Sequence, residues 1–382
     1  LNKLEMSADT MTQNDSIGLG VVGCGGFGLF ALQHYAQLPQ IKLTGMAGTH
    51  REAAQAAAKR FGLENIDDLS VMLEREEVQL VYIATPPFLH YEQAMAALRQ
   101  RKHVICEKPL ATSLEQADEM IGLARERGLL CVANLMQRYN PLFDRVKSVI
   151  ELRLLGELLH GSFENFASDE GLSAQHWFWD RTKSGGIFVE HGVHFFDLFA
   201  GWFGEGEVVA AQSAYRPGTD IEEHVNCTVR YDRPESIGLV NFYHGFHQPG
   251  RLDRQEFRLV FERGDITLHE WIPSRYRIHG IVDEEQTREL MRLFPAAHLD
   301  VTTTYAGRDR QCLGRHKEYD VYQMIEMTGQ ERIKMHSYGD LLRSLMLDQL
   351  AWIRDPSSPR RITEENGRTS LALALTAKRM SS

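Results

Sequence analysis

The sequence predicts an α/β protein built as two domains, and three observations carry that prediction. Strand-like and helix-like segments alternate from Ile17 to about Asn134. After Pro141 several strand-like runs follow one another with no helix between them. The chain has 382 residues, too many for one ordinary core and enough for two. Alternation with short connections implies a parallel sheet covered on both faces. A succession of strands implies an antiparallel one. The first domain is therefore placed at residues 17–135 and the second at 136–382.

The first domain reads in order. Ile17 to Val22 is an apolar run, and Leu29–Leu32 with Tyr35 and Ala36 is the packed face of a helix. Ile41–Ala47 is a strand and Arg51–Phe61 an alanine-rich helix. Val78–Ala84 is an apolar strand ending at Thr85-Pro86-Pro87, and Tyr91–Gln100 a helix. His103–Cys106 is a strand, and Leu114–Arg127 a helix closed by Gly128. Leu129–Ala133 is the last apolar strand.

The second domain opens with a helix over Leu142–Leu154 and a strand near Leu158–Phe166. A glycine-started helix spans about Gly186–Trp202. Strands are expected at Val208–Tyr215, His224–Tyr231, Ile237–Tyr243, Phe257–Phe261 and Ile266–Trp271. Pro273–Lys334 is expected to hold one helix, Glu284–Leu293, and long loops that form a lid or an assembly contact. Tyr338–Ile353 is helical, and Glu364–Arg379 is a final amphipathic helix expected to pack back on the N-terminal domain. Residues 1–16 read as a disordered polar tail or an added remnant, with Met6 or Met11 as candidate natural starts.

The first strand breaks into Gly23-Cys24-Gly25-Gly26-Phe27-Gly28, a G-x-G-x-x-G spacing. Gly23 permits the tight turn, Gly25 lets backbone N–H groups approach a pyrophosphate, and Gly28 lets the next helix pack closely. Phosphates then sit at a helix N-terminus, where orphan N–H groups favour negative charge. The N-terminal unit is thus a Rossmann dinucleotide-binding domain, followed by an α+β domain with a large, mostly antiparallel sheet. An acidic residue about 20 positions past the glycines holds the adenosine ribose in NAD-binding versions. Here the second strand ends Ala47-Gly48-Thr49-His50-Arg51. Losing the carboxylate removes repulsion against a 2′-phosphate, and Thr49 and Arg51 can bind one. NADP is favoured over NAD, with His50 in the same cofactor-binding turn.

Two more segments carry chemistry. Cys106-Glu107-Lys108-Pro109 lies just past a strand C-terminal end, where open parallel sheets bind ligands. Gly185-Gly186 leads into Glu190, His191 and His194. On a helix Glu190 and His194 share a face. A neutral histidine takes a hydroxyl proton in the physiological range. A nearby ammonium stabilises the developing alkoxide. A lysine, a carboxylate and an imidazole beside a nicotinamide can therefore oxidise an alcohol.

These motifs in this order resemble the Gfo/Idh/MocA family of oxidoreductases. The match runs through the glycine fingerprint, Ala84-Thr85-Pro86-Pro87 with His90, Glu107-Lys108-Pro109, Asn134 to Pro141, the Gly185–Asp197 segment and the terminal helix. The resemblance implies that Lys108 is the catalytic lysine, held by a cis Lys108-Pro109 bond, and His194 the acid/base histidine. It implies that Thr85, Pro86, His90, Glu107 and Asn134 line the cofactor. It places Arg138, His176, Trp177 and His191 by the substrate. Glu190 departs from the family's usual aspartate, and its longer arm shifts a substrate-hydroxyl ligand by about one bond length.

The expected activity is hydride transfer between NAD(P) and a secondary hydroxyl or ketone of a sugar, polyol or sugar derivative. Two alternatives remain open: glycoside cleavage through transient oxidation and elimination, and a non-catalytic dinucleotide-binding regulator. The net charge of -10 disfavours nucleic acid and anionic membranes. No apolar run approaches the roughly 20 residues that span a bilayer. The five cysteines are scattered without zinc-ligand or redox spacing and read as reduced thiols of a cytoplasmic protein. His191, His194, His244 and His247 match no metal-ligand spacing, so no metal is expected. A homodimer or homotetramer through the free sheet face is expected from the resemblance and from sheet architecture.

Overall fold

The computed structural model describes residues 16–48, 51–63, 68–232, 237–331 and 334–381. The expected tail up to residue 15, Thr49 and His50 lie outside these, as does the side chain of Arg51.

The first sheet is parallel. β1 (Ile17–Val22), α1 (Gly26–Tyr35), β2 (Ile41–Ala47), α2 (Arg51–Arg60) and α3 (Leu69–Glu74) come first. β3 (Leu80–Ile83), α4 (His90–Arg99), β4 (His103–Cys106), α5 (Leu114–Arg127) and β5 (Cys131–Ala133) complete it. The five strands lie in the order β2-β1-β3-β4-β5. β1, β3 and β5 are buried at every residue, so they read as unbroken apolar runs rather than alternating ones. Helix α5 starts at Ser113, whose hydroxyl accepts from the Gln116 N–H at 3.3 Å, and stops at Gly128 in the left-handed region at φ 66°. Strand order reverses between β1 and β3, which opens a crevice at their C-terminal ends.

The second unit begins with α6 (Pro141–Glu151), β6 (Leu158–Ser168) and α7 (Arg181–Ser184). A π-helical turn, Phe188–Gly192, then runs into α8 (Val193–Phe203). β7 (Glu207–Tyr215), β8 (Glu222–Asp232), β9 (Ile237–Gln248), β10 (Arg254–Phe261) and β11 (Gly264–His269) follow. After them come β12 (Arg275–Val282), α9 (Glu284–Leu293), β13 (His298–Thr304), the hairpin β14 (Gln311–Gly314) and β15 (Lys317–Asp320), and β16 (Gln323–Gln330). α10 (Lys334–Arg354) and α11 (Glu364–Met380) close the described chain.

Nine strands form the large sheet, β13-β16-β12-β11-β10-β6-β9-β8-β7. β6 and β9 pair in parallel, and the other neighbours are antiparallel. Its inner face packs on α8. Phe163 of β6 stacks on Phe195 with ring centroids 3.7 Å apart, and Phe199 meets Phe242 and Phe257. Each such ring, fully buried, contributes roughly 1.5–3 kcal/mol.

Among the described residues of 273–334, strands stand where long loops were expected. The helix Glu284–Leu293 stands where expected, opened by a capping box between Asp283 and Gln286. β12, β13 and β16 extend the sheet beyond β11, and β14–β15 forms a separate two-stranded hairpin. β12 alternates buried Tyr276, Ile278 and Val282 with outward Arg275 and Arg277. Its outward charges obscured a period of two.

The two C-terminal helices lean on the first domain. α10 packs on α1, where Arg343 bonds His34 at 2.9 Å. α11 packs on β5 and α5 as well as on α8 and β7. Arg368 pairs with Asp118 at 2.6 Å, and Glu364 accepts from the Cys131 N–H at 3.3 Å. None of the five cysteines is bonded to another.

Candidate active site

The turn after β1 shows why its glycines are glycines. Gly23 has φ +99°, and a Cβ there would lie 2.6 Å from the Ala84 carbonyl oxygen. A Cβ on Gly28 would lie 2.4 Å from the Gly23 oxygen. Gly25 and Gly26 differ: a Cβ on either meets nothing within 4 Å, so their backbone faces open space. Helix α1 starts at Gly26 with no side-chain cap, which leaves its first N–H groups to an outside acceptor. An open glycine cradle at an uncapped helix start fits a dinucleotide pyrophosphate.

That cradle is one end of a cavity of about 680 Å³. Gly25, Gly26, Phe27, Thr85 and Pro86 line it from the β1 and β3 ends. Glu107, Lys108 and Asn134 line it from the ends of β4 and β5. From the second unit come His176, Trp177, Glu190, His191 and His194. Lys108 joins the two halves. Its Nζ donates to Glu190 Oε1 at 2.6 Å and to the Glu190 carbonyl at 2.7 Å. The Lys108-Pro109 peptide is cis.

The helix expected from Gly186 departs from α geometry where it carries these groups. Phe188–Gly192 is wound as a π turn, a form that collects at functional sites. Glu222 anchors its start, accepting from the Ile187 N–H at 2.7 Å. His194 is 5% exposed, and its Nδ1 is buried without a hydrogen-bond partner. Burial, then the Lys108 charge, push its pKa well below the usual range. It is a neutral base beside an ammonium. His191 is held neutral in the same way, by burial first and then by His244, Lys108 and His194.

His191 and His244 share a bond between their Nδ1 atoms at 3.0 Å. His244 is fully buried beside Phe163 and Phe195, and its Nε2 has no partner. A proton on that Nε2 would be an orphaned donor, the rarer and costlier defect. The proton therefore sits on His244 Nδ1 and is donated to His191. That bond fixes His191 as the tautomer with its proton on Nε2.

Glu107 is buried and accepts from Tyr82 and from Asn134, the latter at 2.6 Å. Burial raises its pKa, which those bonds partly offset. Two expected residues are elsewhere. His90 is fully buried, with its ring nitrogens 2.8 Å from the Pro109 oxygen and 2.7 Å from the Thr85 oxygen, so it ties two loops together behind the cavity wall. Arg138 forms a two-pronged pair with Asp197 at 2.8 and 2.9 Å and is spent there.

The structure adds residues that the sequence reading missed. Asn165, Gln255, Asp253, Phe246, Trp271 and Tyr338 line the cavity. Asn165 and Gln255 were detectable as polar residues at inward positions of otherwise apolar alternations. Phe27, Tyr338, Trp271 and His194 form a chain of ring contacts at 5.7, 5.2 and 5.8 Å that runs from the glycine cradle to the imidazole.

Comparison with known proteins agrees with this architecture. The family described as "Oxidoreductase family, NAD-binding Rossmann fold" matches residues 17–135, and the GFO/IDH/MocA C-terminal domain matches residues 143–267. A dTDP-3,4-didehydro-2,6-dideoxy-alpha-D-glucose 3-reductase of Actinomadura kijaniata is 36% identical over 143 residues. That alignment covers 37% of this chain and spans less than half of the relative, 43%. An oxidoreductase of Synechocystis is 32% identical over 259 residues, covering 62% of this chain and 68% of the relative. Levoglucosan dehydrogenase, solved with NADH and levoglucosan, superposes with a TM-score of 0.74 at 19% identity, over 96% of this chain and 97% of that one. With the glycine cradle at its start and both family domains in order along it, this chain belongs to the Gfo/Idh/MocA family of oxidoreductases.

Proposed function

We propose that the protein moves a hydride between a nicotinamide dinucleotide and a secondary carbinol or ketone carbon of a sugar, polyol or sugar derivative. The observation that carries this reading is the Lys108–Glu190 contact, which brings the two halves together in the cavity that also holds His194 and the glycine cradle. The bound nicotinamide supplies the hydride acceptor or donor. The protein's own groups handle the proton and the charge. Neutral His194 takes the hydroxyl proton as the alcohol is oxidised and returns it in reduction. Lys108 donates to the same oxygen and stabilises its developing negative charge. Glu190 holds the ammonium in place and accepts from a neighbouring substrate hydroxyl. His191, as an Nε2–H donor, fixes a further substrate oxygen. Thr85, Pro86, Glu107 and Asn134 border the nicotinamide end. The family assignment supports the cofactor class, and the names of two relatives support a sugar substrate.

NADP is the preferred form in this reading, because the stretch Ala47-Gly48-Thr49-His50-Arg51 lacks a carboxylate to meet the ribose. Two or four copies pair through the outer face of the large sheet, where Ile237 and Leu239 are exposed. The test is a panel of sugars and polyols with NADP+ and NAD+, followed at the reduced nicotinamide absorbance. Stoichiometric formation of reduced cofactor supports net oxidation. Bond cleavage with no net change in cofactor would replace it with a redox-neutral reaction. Cofactor binding without turnover of any kind would sink the enzyme reading.

A further inference from the structure

We propose that the part of the substrate reaching Lys108 and His194 is uncharged, so that the ring being oxidised carries no phosphate: a neutral sugar, polyol or glycoside rather than a sugar phosphate. This rests on the oxidoreductase reading and narrows it to a substrate class. Among the described residues lining the cavity, Lys108 is the one with an ammonium or guanidinium, and it already bonds Glu190. Three carboxyl groups line the same space: Glu107, Glu190 and Asp253. Leaving Glu107 aside, Glu190 and Asp253 still outnumber the one cation. His191 and His194 add no positive charge near neutral pH, for the reasons of burial and neighbouring charge given above.

Three guanidinium groups from this side of the molecule do not line the cavity and have contacts of their own. Arg216 bonds Asp169 at 2.6 Å and the Phe246 carbonyl at 3.1 Å, and lies 4.7 Å over the Trp179 ring. Arg254 lies 4.8 Å over Phe166. Arg138 is spent on Asp197. A phosphate entering here would shed water with no forked guanidinium among the described lining residues to replace it and with carboxylates facing it.

The walls offer what an uncharged ring needs. Trp177, Phe246 and Trp271 give apolar surface for the C–H side of a sugar. Asn165, 1% exposed, and Gln255, 7% exposed, bring amide groups to the cavity for its hydroxyls.

The experiment uses the cofactor-loaded enzyme and matched pairs: glucose against glucose 6-phosphate, and myo-inositol against its monophosphate. The expected result is a kcat/KM at least about tenfold higher for the uncharged member of any pair that turns over. Asp253→Arg should narrow that ratio about fivefold by placing a cation at the wall. A ratio within threefold of unity, or one favouring the phosphorylated member, overturns the proposal and leaves the oxidoreductase reading standing. No turnover across both arms, with cofactor still bound, overturns the oxidoreductase reading instead.

Discussion

The two ends of the cavity are built in different ways. The β1–α1 end is backbone: four glycines, an uncapped helix start and hardly a reactive side chain. The end beyond β4 is side chain: Lys108, Glu190, His191 and His194, brought together over 82 residues of sequence between Lys108 and Glu190. A backbone site has no room for a Cβ at Gly23 and Gly28 but needs no distant partner. A side-chain site depends on how two units dock. The two ends should therefore fail differently, and the largest effect belongs to the side-chain end. Lys108→Met should lower kcat about 10³-fold and His194→Ala about 10²–10⁴-fold, with cofactor Kd changed less than about threefold. Equilibrium dialysis or fluorescence titration of the cofactor beside steady-state kinetics checks this. Loss of cofactor binding in both variants would erase the distinction between the ends.

The glycine end should show the converse split. Gly28→Ala puts a methyl 2.4 Å from the Gly23 oxygen and should cost stability, about 1–3 kcal/mol in denaturant melts. Gly25→Ala meets nothing within 4 Å, so it should melt within about 0.5 kcal/mol of the parent. Its methyl occupies the approach path of the pyrophosphate, so cofactor affinity should fall about tenfold or more. Equal destabilisation by the two substitutions would mean that the cradle is not open.

This contrast also explains what could be read from the sequence. Glycine spacing is local, so Gly23, Gly25 and Gly28 announce themselves within six residues. The alternation of the first sheet and the succession of strands in the second were legible for the same reason. β12 and β16 were not, because Arg275, Arg277 and Glu326 stand outward on a sheet face and mask the inward apolar period. The π turn at Phe188–Gly192 was invisible too. It carries Glu190 and His191 into the cavity on a winding that no residue pattern encodes locally. His90 and Arg138 show the other limit. Each belongs to a motif near the cavity, yet partners from other elements, the Pro109 and Thr85 carbonyls and Asp197, draw their side chains away.

The protonation of the side-chain end gives a sharper comparison. His194 sits well below the usual imidazole range because burial and Lys108 oppose its charged form. The base is thus already free at neutral pH, and kcat/KM should stay flat as pH falls from 8 to the unperturbed value of 6.5. Its acid limb should lie lower still. Lys108→Met removes one of the two causes, so the residual activity of that variant should show an acid limb shifted upward. An unshifted limb would show that the ammonium and imidazole do not sense each other.

The smallest expected effect concerns His244, which touches the cavity only through His191. Its pKa is lowered from 6.5 to about 3 by burial. The unfolded chain therefore binds this proton below pH 6.5 while the folded chain does not until about pH 3. Stability is full above 6.5 and is lost as pH falls through that window, by up to about 1.4 kcal/mol per pH unit for this one group. His244→Phe removes the titration, and the acid side of a stability-against-pH curve should become shallower by that slope. The same variant releases His191 from its fixed tautomer, so KM should rise about threefold while kcat stays near the parent value. A stability change without the KM change would leave His244 as filling for the Phe163–Phe195 layer. Both changes together would make it the group that orients His191.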